Sequence, residues 1–163
     1  LAMFNALRPM LQSAYQEDNI SRVRRSIGSG AVSYIVLSVL LNVIIVAGYP
    51  ILNLINPSTT FDPAVYLGVS VYIFIFNWYS LFASALCAFN TIPYVKAYAI
   101  TAAAGIVLSV ILIKFCDMGV WGLVVGMMLP NLIYNCWKWP LEVLERLHIS
   151  LWQLLKLGVK RRS

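Results

Sequence analysis

Acidic side chains are scarce in this sequence: six Asp and Glu stand among 163 residues, against twelve Lys and Arg and one His. None of the six lies inside a long apolar stretch, so no carboxylate is offered there to carry a proton or a sodium ion. The one histidine, His148, has no partners in a Ser/His/Asp or Cys/His pattern. There is also no glycine-rich phosphate loop and no pair of acids suited to glycosyl transfer. The chain is therefore expected not to be an enzyme. Its three cysteines, Cys87, Cys116 and Cys136, lack the short spacings that build zinc sites and read as packing residues, so neither metal nor cofactor is expected. Charge of either sign is missing altogether from 31–61 and again from 63–95.

What is present is apolar. With 61% hydrophobic and 11% charged residues, against about 25% charged in ordinary globular chains, the sequence cannot hide its apolar surface in one water-soluble core. Lipid must be the solvent, and the charge-free runs exceed the roughly 20 residues that span a hydrocarbon core. The net charge of +6 comes from short basic clusters beside the apolar runs and not from an aromatic-studded polar face. Anionic lipid headgroups, and not nucleic acid, are the expected neighbours.

Along the chain, Leu1 to Gln16 opens without an initiator Met and reads as the tail of a helix whose beginning is missing. Arg22, Arg24 and Arg25 follow, and Gly28-Ser29-Gly30 is expected to turn the backbone into the membrane. Four full spans are predicted at about Ala31 to Ile55, Val65 to Phe89, Lys96 to Cys116 and Val120 to Trp139. The stretch from Asn56 to Pro63 is dense in turn formers, and Asn90 to Pro93 and Asp117 to Gly119 make the other connections. Links this short force antiparallel neighbours, so the fold class is an all-α, up-and-down transmembrane bundle over 1–140.

Leu144, Leu147, Leu151 and Leu155 recur at three- and four-residue spacing, which predicts an amphipathic helix from Leu141 to Leu157 lying on the membrane surface. With the tail Lys160-Arg161-Arg162 it forms a second region, 141–163, set against anionic headgroups. If the segment before the first span is cytoplasmic, ten basic residues fall inside and only Lys114 outside. The positive-inside rule then puts the C-terminus in the cytoplasm.

Ala97, Thr101, Gly105 and Ser109 recur every four residues, and Gly122 and Gly126 repeat the device. Small faces of this kind let membrane helices approach closely, and packing is the reading they support. Pro130 frees a carbonyl in mid-span ahead of Asn131 and Asn135, an arrangement equally compatible with a hinge and with static curvature. Asn42 and Asn77 are intramembrane amides, more often interhelical links than ligands. Arg8 interrupts an apolar helix, where a cation costs about 2.5–3.5 kcal/mol unless it meets water, protein or a counter-ion. It either snorkels to the interface or faces a cavity. Arg8, Asn77 and Asn131 are the candidate substrate contacts.

Pro9 to Gly30 combines a helix end, an acidic break and a basic segment entering a long span. Ala88-Phe89-Asn90-Thr91 leads to Lys96 and a span closing on Asp117-Met118-Gly119-Val120-Trp121-Gly122-Leu123-Val124-Val125-Gly126. Over Pro9 to Pro140 this resembles the polysaccharide transporters, or O-antigen flippases, of the multidrug/oligosaccharidyl-lipid/polysaccharide exporter superfamily. The resemblance implies two six-helix bundles around a cavity that opens alternately to each side. This chain would supply the end of helix eight and helices nine to twelve, completed by N-terminal helices of the same transporter. It also implies a bacterial inner-membrane location, an undecaprenyl-pyrophosphate-linked oligosaccharide as cargo, and Arg8 as a cationic cavity wall. A cation-coupled drug antiporter of the same fold and a non-transporting membrane scaffold are the rival expectations. The antiporter needs an intramembrane acid, and this segment has none.

Overall fold

The computed structural model describes the backbone of residues 2–55, 62–89 and 94–159, with the side chains of all of these except 2–8, 49, 52, 53, 55 and 94. All of the turn expected at Asn56–Pro63 except Asp62 and Pro63, the turn expected at Asn90–Pro93, the basic tail and the side chain of Arg8 lie outside the described residues. Among the described residues seven helices follow in order: α1 (Ala2–Gln16), α2 (Ile20–Ile55), α3 (Pro63–Ala88), α4 (Tyr94–Phe115), α5 (Gly119–Pro130), α6 (Cys136–Arg146) and α7 (Leu151–Val159). A π-helical turn, Asn131–Asn135, joins α5 to α6. The protein is an all-α helical bundle, and the described residues include no strand. Among the described residues four helices are long and apolar enough to cross a membrane: Ile20–Gly48, Pro63–Ala88, Val95–Phe115 and Gly119–Arg146.

The links between helices are closed by local chemistry. Asp18 takes a left-handed backbone (φ 53°), and the N–H groups of Asp18 and Asn19 reach back to the carbonyls of Tyr15 and Ala14. This is a Schellman ending that satisfies the last carbonyls of α1. Asn19 then caps α2 by accepting from the N–H of Arg22 at 3.0 Å. Asp62 caps α3 through the N–H groups of Ala64 and Val65, and Pro63 at the first helical position has no N–H to satisfy.

Two expectations need correction. No turn occurs at Gly28-Ser29-Gly30, because α2 runs unbroken from Ile20. Gly28 is needed for contact and not for bending: a Cβ there would enter the backbone of α7 at Leu154 and Gly158. The amphipathic stretch Leu141–Leu157 is also not one surface helix. It is split at Leu147–Ser150, α6 continues the fourth span, and α7 folds back onto α2. The cause is burial: Val143, Leu144, Leu147 and Leu154 join the same core as Leu11, Val23, Ile27, Phe82 and Trp139. Once Leu147 and Leu154 are inside, a continuous helix on the headgroups would expose them again.

That core lies at one end of the bundle. Every buried residue of α3 falls at Ile75 or beyond, and the buried hydrophobic residues of α2 stop at Ala31. Past that point α2 turns large aliphatics outward, with Val36, Leu40, Val43 and Ile44 each about half exposed or more. In α4, Thr101, Gly105 and Ser109 are buried while Ile100, Ile106 and Val107 are exposed. A soluble protein would reverse this pattern. A helix surrounded by lipid gains nothing by hiding isoleucine and packs through its small residues.

Candidate functional site

The divergence of α2 and α3 beyond the core leaves a groove between them of about 330 Å³. On α2, Tyr34, Ser38 and Asn42 are spaced by four residues and share one face. On α3, Tyr66, Ser70 and Asn77 meet them. Asn42 is the link: its Oδ1 accepts from the hydroxyls of Ser70 and, at 3.4 Å, Tyr66, while its Nδ2 donates to the Ser38 carbonyl at 2.8 Å. Closer to the core, the Tyr34 hydroxyl donates to the Phe74 carbonyl at 3.0 Å. The two rings stack with centroids 5.3 Å apart. Asn77 lines the same groove and donates to the Ile73 carbonyl at 3.0 Å. Asn42 and Ser70, with Ser38, also wall a second opening of about 310 Å³, otherwise lined by apolar side chains of both helices.

Chemically the groove offers hydroxyls, amides and aromatic faces, and none of its lining residues carries a formal charge. A ligand rich in hydroxyl groups would find donors, acceptors and ring surfaces there. A fully charged one would find no counter-ion.

Asn131 is elsewhere. It is buried in a chain of bonds around the π-turn, donating to the Met127 carbonyl at 2.9 Å and accepting from Asn135 at 2.8 Å. Asn135, fully buried, also donates to Thr101 Oγ1 at 3.0 Å and accepts from the Trp139 indole at 2.9 Å. The Thr101 hydroxyl in turn reaches the Ala97 carbonyl at 2.9 Å. Pro130 explains the location, since it has no N–H to give to the carbonyl of Gly126 and the helix loosens into a π-turn just after it. These amides knit α4 to the fourth span.

The structure therefore separates the sequence candidates. Asn77 lines the groove, Asn131 shares no hydrogen-bond partner with it among the described residues, and Arg8 lies in α1 with its side chain outside them. Gly105, Gly122 and Gly126 all lie where α4 meets α5. A Cβ on Gly126 would come within 2.6 Å of Ser109 Cα, one on Gly122 within 3.0 Å of the Ile113 nitrogen, and one on Gly105 within 3.1 Å of Met127 Sδ. Sequence reading missed Tyr34, Ser38, Tyr66 and Ser70. The available signal was polar residues at four-residue spacing inside charge-free runs. Comparison with family models, with curated proteins and with solved structures finds no match for the chain.

Proposed function

We propose that this chain is part of a membrane transporter that moves a lipid-linked oligosaccharide between leaflets. The groove between α2 and α3 would take the sugar. The observation that carries this reading is the uncharged, hydroxyl- and amide-lined groove set between two spanning helices and bordered by exposed aliphatic residues. Glycan hydroxyls exchange hydrogen bonds with water for bonds with Tyr, Ser and Asn at little net cost, and sugar faces stack on aromatic rings. A lipid tail can meanwhile stay in the bilayer beside α2. The resemblance of Pro9 to Pro140 to polysaccharide transporters agrees in substrate class, and from it come the proposals of a bacterial inner membrane and of Arg8 as a pyrophosphate contact, while the proposal of a cytoplasmic C-terminus comes from the distribution of basic residues.

The cation-coupled antiporter gains no support from this site, because no carboxylate lines the groove. The test is flux of a fluorescent lipid-linked oligosaccharide in vesicles containing the transporter. Asn42→Leu and Asn77→Leu are expected to lower flux at least several-fold while insertion and abundance hold. Undiminished flux in both variants would remove the groove from the transport path.

A further inference from the structure

Helix α6 ends in a second Schellman motif. The N–H of His148 bonds to the Glu145 carbonyl at 3.0 Å and that of Ile149 to the Leu144 carbonyl at 3.2 Å. The left-handed position, normally glycine, is His148 itself (φ 49°). Next comes a capping box: Ser150 Oγ accepts from the Gln153 N–H at 3.3 Å, and Gln153 Oε1 accepts from the Ser150 N–H at 2.9 Å. Together these reverse the chain and lay α7 along α2. Between α2 and the reversal is a cavity of about 760 Å³ lined by Arg24, His148, Ile149, Gln153, Lys156 and Leu157.

The charges around it are of one sign. Arg24 points Nε and Nη2 at the Leu147 carbonyl, at 3.0 and 2.5 Å, capping the negative end of α6. Lys156 sits over the Trp152 ring at 5.4 Å. Among the described residues no carboxylate pairs with Arg24, His148 or Lys156; the acids that do pair, Glu17 and Glu142, serve Arg22, Lys138 and Arg146. Arg24 stands shortly before the charge-free run that opens at Ala31, and Trp152 is two-thirds exposed, as befits a ring at headgroup level.

We propose that this cavity binds a phosphate group, and that its source is the headgroup of an anionic phospholipid. An anion there relieves the repulsion between the Arg24 guanidinium and the Lys156 ammonium. The uncommitted donors of Arg24, the Lys156 ammonium and the His148 imidazole then have a partner, and a cavity of this size admits a phosphodiester with its glycerol. The exposed Trp152 and the adjoining membrane span favour a lipid over a soluble phosphate. The site is independent of the groove between α2 and α3, from which it is separated by the core.

The test is native mass spectrometry of the full chain in detergent. The purified protein is titrated with phosphatidylglycerol, with zwitterionic phosphatidylcholine and with inorganic phosphate as competitor. Wild-type protein is expected to retain phosphatidylglycerol over phosphatidylcholine. Lys156→Gln should weaken that retention about fivefold. His148→Gly should weaken it in the same direction while thermal stability holds or rises, because glycine suits the left-handed backbone. Displacement of the lipid by inorganic phosphate at low concentration would assign the same site to a soluble phosphate. Equal retention of phosphatidylglycerol by wild type and by the Lys156→Gln/His148→Gly double variant would overturn the proposal.

Discussion

Gly28 of α2 and Gly158 of α7 meet backbone to backbone, so that a Cβ on either would enter the main chain of the other. This contact fastens the C-terminal helix to the first full span, and it accounts for a glycine in mid-helix where alanine would otherwise be favoured by about 1 kcal/mol. Replacing Gly28 or Gly158 with leucine is expected to detach α7. Hydrogen exchange at the amides of Leu154 to Leu157 should then accelerate by at least tenfold while α3 to α5 stay protected. Unchanged exchange in both variants would show that the helices can separate without loss.

A second prediction contrasts two glycines. Gly126 lies against the backbone of Ser109, whereas among the described residues nothing comes within 4 Å of a Cβ built on Gly48. Gly126→Ala should destabilise the bundle by about 1–3 kcal/mol through overpacking. Gly48→Ala, in open space, is expected to be neutral or to stabilise by up to ~1 kcal/mol. Unfolding of the two variants in mixed micelles measures both, and equal stabilities would place the α4–α5 contact outside the forces that hold the fold.

Asn135 joins Thr101, Asn131 and Trp139 in one bonded chain. Asn135→Leu keeps the branched shape but removes the oxygen that accepts from the Trp139 indole and the amide that donates to Thr101 and Asn131, a loss of about 1–3 kcal/mol. The stability loss should appear together with altered tryptophan fluorescence. Wild-type stability would mean that water or a rearranged partner replaces the amide at no cost.

The distribution of basic residues predicts the orientation of the spans. Cys116, exposed at the α4–α5 link, is expected to react with a membrane-impermeant maleimide added outside intact cells, whereas buried Cys87 should react only after denaturation. Labelling of Cys116 that required permeabilised cells would reverse the orientation.

The four spans were legible in the sequence because their cause is local. A run without charge and longer than the hydrocarbon core is thick has one stable environment, and Asp62-Pro63 and Asp117–Gly119 mark where runs stop. The small-residue face of α4 was legible for the same reason, since Thr101, Gly105 and Ser109 share a face in any helix. Tertiary structure alone decided that Gly28 is a contact and not a turn, that Arg24 caps a carbonyl 123 positions away, and that Tyr34, Ser38 and Asn42 face Tyr66, Ser70 and Asn77. In lipid the hydrophobic effect does not choose which helix faces meet. Side-chain fit and hydrogen bonds between distant segments make that choice, and neither is written in the periodicity of a single helix.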